Sequence, residues 1–499
     1  MSLFQGKEPE KEQETDGQKR KWVQQLAAGL NTRAFRMGGY SLAAVAIVLV
    51  IAIAVNLLMG ALPAALTQFD TSYNHLYNIS SQTQKVIGEL DTSVELYWIT
   101  RSGKEDAYVE KVLTMYDEMS EHLTLTKKDP DVYPTFVPQY FDGTVYDNSV
   151  LVVCGEKYRY IQNSEIYVYN MDNYWATGQY DITFDAEGAL TSAISYVTAE
   201  VLPKLYFLGG HGESEIPEAF MTAIKKQNYV TEELSLLSAG SVPADADGIL
   251  VYNPRSDISP AEKDALSAYL SGGGSLFVIT SPQEAEASGR STLEALMKEY
   301  GIQTQAGVVV ETNTGNYYYG NPVWLLPTLN THTITEPLMS GYRVMLPTAQ
   351  GLAVAEDAVG TLTITKLLTT TDASYSVIID EDRKSYEKQD GDAEGPFALA
   401  IASEDSNTQA KVVCVSSAAL LDETSDMYVS GGNQDFFLNT LGWMCEYEDS
   451  ITIHPRSLDY MYLSMDSGEA TTLITLVVGV IPVCYLLAGI VVAIRRKRK

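Results

Sequence analysis

The apolar positions of this chain fall into two kinds of run. Near each end lies a long stretch without Asp, Glu, Lys or Arg: Gly38 to Leu62, inside a charge-free interval from Arg36 to Asp70, and Ala470 to Ile494, between Glu469 and Arg495. A membrane-spanning helix needs about 20 apolar residues, so both stretches predict a span. Between them the apolar residues recur in short rows. Val94 to Ile99 alternates like a half-buried strand, and Leu123 to Thr126 repeats the pattern. From Glu105 to His122, Val109, Val112, Leu113, Tyr116 and Met119 share one helical face. Ser149 to Cys154 and Tyr158 to Gln162 read as two further strands, followed by a helix from Ala186 to Glu200. After Leu202-Pro203 the rows change character. Lys204 to Leu208, Asp247 to Pro254, Ser275 to Thr280 and Val412 to Ser416 are apolar runs of the kind buried on both faces of a parallel sheet. Helices are expected between them, over Pro217 to Gln227 and from Ser259 onward. Ser259, Pro260 and Glu262 there supply an N-cap, an N1 proline and an N3 acid.

The first group of elements, β-α-β then β-β-α, resembles the thioredoxin fold, as a scaffold without redox cysteines. In the second group strands alternate with helices, which predicts an open, doubly wound α/β sheet of flavodoxin-like type. The expected organisation is a basic tail (1–37), a span (38–62), the thioredoxin-like domain (63–202), the doubly wound domain (203–456), a linker (457–469), a second span (470–494) and a basic tail (495–499). Residues 300–400, rich in Thr, Gly and Tyr, read as a β-rich insertion of undefined fold.

Charge orients this arrangement. Lys19, Arg20, Lys21, Arg33 and Arg36 flank the first span, and Arg495-Arg496-Lys497-Arg498-Lys499 flank the second. Cationic flanks stay in the cytoplasm, so both termini are expected inside and residues 63–469 outside. Of 34 Lys+Arg and 64 Asp+Glu, the two ends hold 12 and 5; the middle keeps 22 against 59, a net charge of −37. Such a surface repels nucleic acid and anionic head groups, so nucleic acid is not an expected partner. The acid keeps an exposed domain soluble. Binding of cations or basic peptides is the alternative.

The ends admit other readings. Ala61-Leu62-Pro63-Ala64-Ala65 offers small residues to a signal peptidase, but the apolar run exceeds the usual h-region of about 7–15 residues, so an uncleaved anchor is expected. Asn56, a polar residue in a membrane helix, is expected to pack against another helix. Pro482 is expected to kink the second span. Two such helices cannot line a conduit; any channel must come from another protein. The cysteines say little. Cys154, Cys414 and Cys445 lie between the spans and Cys484 within the second, with no Cys-x-x-Cys and no zinc-ligand spacing. Core thiols are expected; a Cys414–Cys445 disulfide is compatible with the sequence but not required.

The strongest candidate site is Gly209-Gly210-His211-Gly212-Glu213, directly after a strand and before a helix, with Asn253 in the tight turn after the next strand. Ligands of open α/β sheets bind beyond the carboxyl ends of the strands. Glycines let the backbone turn tightly, and His211 and Glu213 have the chemistry of an acid–base pair or metal ligands. The alternative is a structural turn in which both side chains fix the loop. Loss of the imidazole would then cost one hydrogen bond, about 1 kcal/mol. Neither Gly-x-Ser-x-Gly nor Gly-x-Cys-x-Gly occurs, and Gly272-Gly273-Gly274 lacks the Lys-Ser/Thr of a phosphate loop, reading instead as a helix C-cap. No metal site or cofactor is expected.

Three stretches resemble the GldG-type ABC-transporter auxiliary proteins, whose central domain is related to that of intraflagellar-transport proteins. The first comprises Phe69-Asp70-Thr71-Ser72, Tyr77 to Thr83 and Leu90 to Val94; the second is Leu205 to Glu213. The third is Gly432 to Trp443 with Ile451-Thr452-Ile453-His454-Pro455-Arg456. The resemblance implies a sheet like that of class I glutamine amidotransferases, without their nucleophile, and a place beside an ABC permease and its ATPase. The expectation is therefore a non-enzymatic, membrane-anchored extracytoplasmic accessory subunit of an ABC transport or surface-assembly system. A membrane-tethered hydrolase using His211 and Glu213, or a surface adhesin, stands as the alternative.

Overall fold

The computed structural model describes residues 45–56, 78–170, 181–282, 289–379, 383–447, 453–458 and 475–497. The chain forms two compact units, Met1–Leu76 and Tyr77–Lys499. In the first, the described residues form an apolar helix, Val45–Asn56. The rest of the expected span, Gly38 to Leu62, lies outside the described residues, as do the tail 1–37, residues 498–499 and most of the 457–469 linker.

In the second unit, strands β1 (Val94–Ile99), β2 (Leu123–Lys128), β3 (Ser149–Cys154) and β4 (Lys157–Ile161) form a four-stranded sheet in the order β2-β1-β3-β4. β1 and β2 are parallel; β3 is antiparallel to β1, and β4 to β3. The helix between β1 and β2, Ala107–Met119, starts at Asp106, whose carboxylate accepts the Tyr108 and Val109 N–H groups. It buries Val109, Val112, Leu113 and Tyr116, the face expected from their spacing. Helix Ala186–Thr198 also packs on this sheet. β5 (Tyr167–Asn170) and β6 (Asp181–Phe184) form a small sheet with Arg456–Ser457.

The larger sheet has ten strands. Its core is parallel: β7 (Lys204–Leu208), β8 (Val230–Leu234), β9 (Gly248–Tyr252), β10 (Ser275–Ile279) and Lys411–Val415 lie in the order β8-β7-β9-β10-(411–415). Beyond Lys411–Val415 the direction reverses. Ala398–Asp405 pairs antiparallel with it, and residues from the 300–400 insertion extend that edge. The sheet is thus mixed rather than wholly parallel, because a hairpin joins Ala398–Asp405 to Lys411–Val415 and strands of the insertion pair beyond it.

Alternate residues of the parallel strands point to opposite faces, and each face has its own core. Leu205, Phe207, Leu250, Phe277 and Val413 pack with Phe220 and Ile224 of helix Glu218–Lys226 and with Phe436, Phe437 and Leu441 of helix Gly432–Met444. Tyr206, Leu208, Ile249, Val251, Val278 and Cys414 pack with Leu266 and Leu270 of helix Pro260–Ser271 and with Leu293, Leu296 and Met297 of helix Ser291–Glu299. Helices on both faces explain why these strands are apolar throughout.

At the carboxyl end of the chain, Val477–Arg495 is 19 residues long with a mean hydropathy of 2.7, enough to cross a membrane. It begins in a π-helical stretch, Thr475–Val480, and continues as α-helix from Ile481. The change falls just before Pro482, which cannot donate a backbone hydrogen bond. All four cysteines are free, with Cys414 buried.

Candidate functional site

The glycine turn follows β7 at the carboxyl edge of the parallel sheet. Gly209 N–H still bonds to Leu234 O at 2.9 Å, carrying the β7–β8 ladder into the turn. Gly210 and Gly212 then adopt φ +118° and +71°, a region that side chains rarely enter. The neighbouring turn after β9 runs alongside. Asn253 sits at φ +52°, and its Nδ2 donates to Ser214 Oγ at 3.0 Å. Ser214 N–H donates to Tyr252 O at 3.0 Å, and the Arg255 and Ser256 N–H groups both donate to His211 O at 3.0 Å. The two turns are therefore joined by backbone bonds.

His211 lies between two carboxylates. Its Nδ1 is 3.0 Å from Glu213 Oε1, and its backbone N–H donates to Glu213 Oε2 at 2.8 Å. Its Nε2 is 3.1 Å from Glu262 Oε2. The side chains of His211, Glu213 and Glu262 are 5%, 10% and 3% exposed. Each ring nitrogen therefore faces a carboxylate oxygen, a group that accepts hydrogen bonds when ionised. Glu262 also closes the capping box expected at Ser259, accepting its N–H at 2.8 Å. Burial raises the Glu262 pKa, but the hydrogen bonds from Ser259 and His211 outweigh it and hold the carboxyl below its ordinary range.

A cleft of about 540 Å³ opens over the turn. Gly209, Gly210, Gly212 and Glu213 line it, with Glu215, Met221, Glu233 and Tyr252. Of the residues singled out in the sequence, His211 and Asn253 do not line the cleft: His211 stands behind Glu213, and Asn253 ties the second turn. Burial pushes the Tyr252 phenol upward, and its Oη donates to Ala418 O at 3.1 Å. Sequence reasoning missed the partnership of Glu262 with His211. The capping box was legible, but the turn to which that helix end is applied was not. Glu233 was missed because β8, mostly exposed, lacks an apolar run. Among the described residues no group of three or more His, Cys, Asp or Glu is arranged to hold a metal ion.

The first and third family-like stretches meet elsewhere, at Glu187. Its Oε1 accepts Ser80 N–H at 2.7 Å and Thr83 Oγ1 at 2.8 Å, and its Oε2 accepts Arg456 Nη2 at 2.8 Å. Arg456 also donates to Asn78 O. Nearby, His454 Nε2 is 2.8 Å from Asp435 Oδ2, and Lys226 Nζ is 2.6 Å from Asp185 Oδ2. Asn433 holds Met345 by both backbone groups, at 2.8 and 2.9 Å. Through Arg456 and His454 the segment before the C-terminal apolar helix is joined to helices Ala186–Thr198 and Gly432–Met444.

Residues 202–440 match a family described as an ABC-type uncharacterized transport system. No curated protein matches the chain. Among solved structures, the chain is similar to the mmIFT52 N-terminal domain, with 15% identity and a TM-score of 0.36 over 50% of this chain and 99% of that one. It is also similar to PurLQS from Thermotoga maritima, with 10% identity and a TM-score of 0.28 over 49% of this chain and all of that one (100%).

Proposed function

We infer, from the match of residues 202–440 to the family described as an ABC-type uncharacterized transport system, that this protein is an accessory component of such a system. That family match carries the reading. The proposed form is a non-enzymatic subunit anchored by both apolar runs, with its termini in the cytoplasm and its α/β body outside. The helix Val477–Arg495 followed by Arg496 to Lys499 supports the C-terminal anchor and its orientation. The β2-β1-β3-β4 order, with β1 and β2 parallel, supports a thioredoxin-like scaffold for the first sheet. The position of His211, with both ring nitrogens engaged by carboxylates, favours a structural turn over a general base. The cleft beside Glu213 is then a surface for a cargo or a permease segment.

An affinity tag after Lys499, with solubilisation of native membranes in mild detergent, tests the reading. A multi-span permease and its ATPase should co-purify, and Asn56→Leu should weaken the complex by about 0.6–2 kcal/mol if that amide bonds a neighbouring helix. Recovery of the chain alone, under conditions that preserve other ABC complexes, would refute it. Protease added to intact cells should cleave the acidic middle and spare the tag.

A further inference from the structure

The cleft over the 209–213 turn lies where the winding of the sheet changes direction. From β7 the chain crosses to β8 on one side, and the next strand, β9, lies on the other. Open α/β sheets bind ligands in the crevice outside the carboxyl ends of such a strand pair. Phe207 from β7, Tyr252 from β9, and Ile216 and Met221 around the start of helix Glu218–Lys226 give the cleft apolar walls. Its acidic groups are Glu213, Glu215 and Glu233. Glu213 is held by His211, but the Glu215 and Glu233 carboxylates have no hydrogen-bond or ion-pair partner among the described residues, and both residues are exposed. Glu233 Oε2 stands over the start of the turn, 3.6 Å from the point that a Cβ on Gly209 would occupy. No Lys or Arg lines the cleft; Arg255 packs beside Gly212 but is not among the lining residues. Three carboxylates beside an apolar surface, without a cation of their own, match a ligand that brings one.

One wall of the cleft is also an open sheet edge. β8 is the last strand in the order and pairs only with β7. Val230 N–H donates to Pro203 O, and Leu234 O accepts from Gly209 N–H, so the backbone groups of residues 230, 232 and 234 face β7. Those of Thr231 and Glu233 face outward, where an extended peptide can add as a further strand. On such a strand the residue opposite Glu233 has its side chain on the face shared by Glu233 and Phe207. Its two neighbours fall on the other face, where Glu232 is already paired with Lys204 at 2.8 Å. The unpaired charge of β8 thus lies on the side of the cleft.

We propose that the cleft and the β8 edge together bind a short, extended, basic peptide, which adds to β8 and sets a Lys or Arg side chain against Glu233 and Glu215. This names the occupant of the cleft as cargo, and in that respect rests on the transport reading. A standing interface between subunits engages about 20–30 residues a side, whereas this cleft admits a few side chains. A ligand that binds and leaves fits it better than a resident permease segment.

The experiment follows the fluorescence anisotropy of a fluorescein-labelled, amidated heptapeptide of alternating valine and lysine, added to the full-length protein in phosphatidylcholine nanodiscs. These lipids carry no net charge to attract the peptide. Saturable binding is expected with a Kd of about 10 μM. Glu233→Gln should weaken it about fivefold, the worth of one exposed ion pair, and Glu215→Gln/Glu233→Gln at least about tenfold. Both positions are exposed, so the melting temperature should stay that of the parent. The counterpart with glutamate for lysine should not bind, nor should the basic peptide methylated at every backbone nitrogen, which cannot pair with a sheet edge. Absence of saturable binding by the basic peptide overturns the proposal. So does equal affinity for the folded double variant, or binding of the acidic or the methylated peptide. Loss of the permease from the double variant in the pull-down, without peptide binding, would give the cleft to the permease. A permease that fails to co-purify while the peptide binds refutes the transport reading and not this site.

Discussion

Replacing Arg456 by alanine should destabilise the second compact unit far more than a surface substitution. The Arg456 and Glu187 side chains are 20% and 9% exposed, and their nitrogen–oxygen distance is 2.8 Å. Removing one partner of a buried ion pair costs about 3–5 kcal/mol, because the other charge is left in a poorly solvated place. Glu187 keeps its bonds from Ser80 and Thr83, and Arg456 is not fully buried, so the low end applies, about 3 kcal/mol. At about 2–4 °C per kcal/mol, the melting temperature should fall by about 6–12 °C. Thermal unfolding of the full-length chain in nanodiscs, read by intrinsic fluorescence, measures this. Glu187→Gln removes the charge that Arg456 compensates. The double variant should therefore be more stable than the sum of the single effects predicts, by at least about 1 kcal/mol. A shift of less than about 2 °C for Arg456→Ala, or strict additivity in the double variant, would refute the view that this pair fastens the segment around Arg456 to helix Ala186–Thr198.

His211→Ala should cost about 2 kcal/mol, more than the single hydrogen bond expected from the sequence, because it takes a donor from each of Glu262 and Glu213, which keep the Ser259 and residue-211 backbone N–H bonds. Denaturant unfolding measures it, and a loss below about 1 kcal/mol would show that the carboxylates find other partners. His454 is tied to pH: its bond to Asp435 first, and the nearby Asp426 and Asp185 charges next, raise its pKa above 6.5 against the opposing effect of burial. A group whose folded pKa is raised contributes stability that is complete below its unfolded pKa and is lost as pH rises through the folded one. The melting temperature should therefore decline from pH 6.5 upward by an amount absent in Asp435→Asn; an identical pH profile in that variant would exclude the pair as the source.

Much of the framework was legible in the chain itself. The apolar runs at β7, β9, β10 and Lys411–Val415 announced a sheet covered on both faces, since a strand with solvent on one side would alternate. Ser259-Pro260-Ala261-Glu262 marked a helix start to the residue, because capping depends on contacts within one turn. Two of the three glycines of the 209–213 turn, Gly210 and Gly212, stand at positive φ, again a matter of local geometry. β8 was not legible, with its side chains mostly in solvent, nor was the reversal of the sheet beyond Lys411–Val415, which depends on its pairing with Ala398–Asp405 and on long-range pairing within the insertion.

What the sequence determined by itself was therefore what neighbouring residues settle among themselves: apolar periodicity, caps, turns and stretches long enough to span a membrane. Tertiary structure alone decided which distant groups meet. It placed Glu262 against His211 across 51 positions, Arg456 against Glu187 across 269, and Tyr428 on the rings of Tyr318 and Trp324. Charge and ring chemistry act over a few ångströms of space irrespective of the chain between. A residue's type states what it can bind, and only the fold brings it a partner.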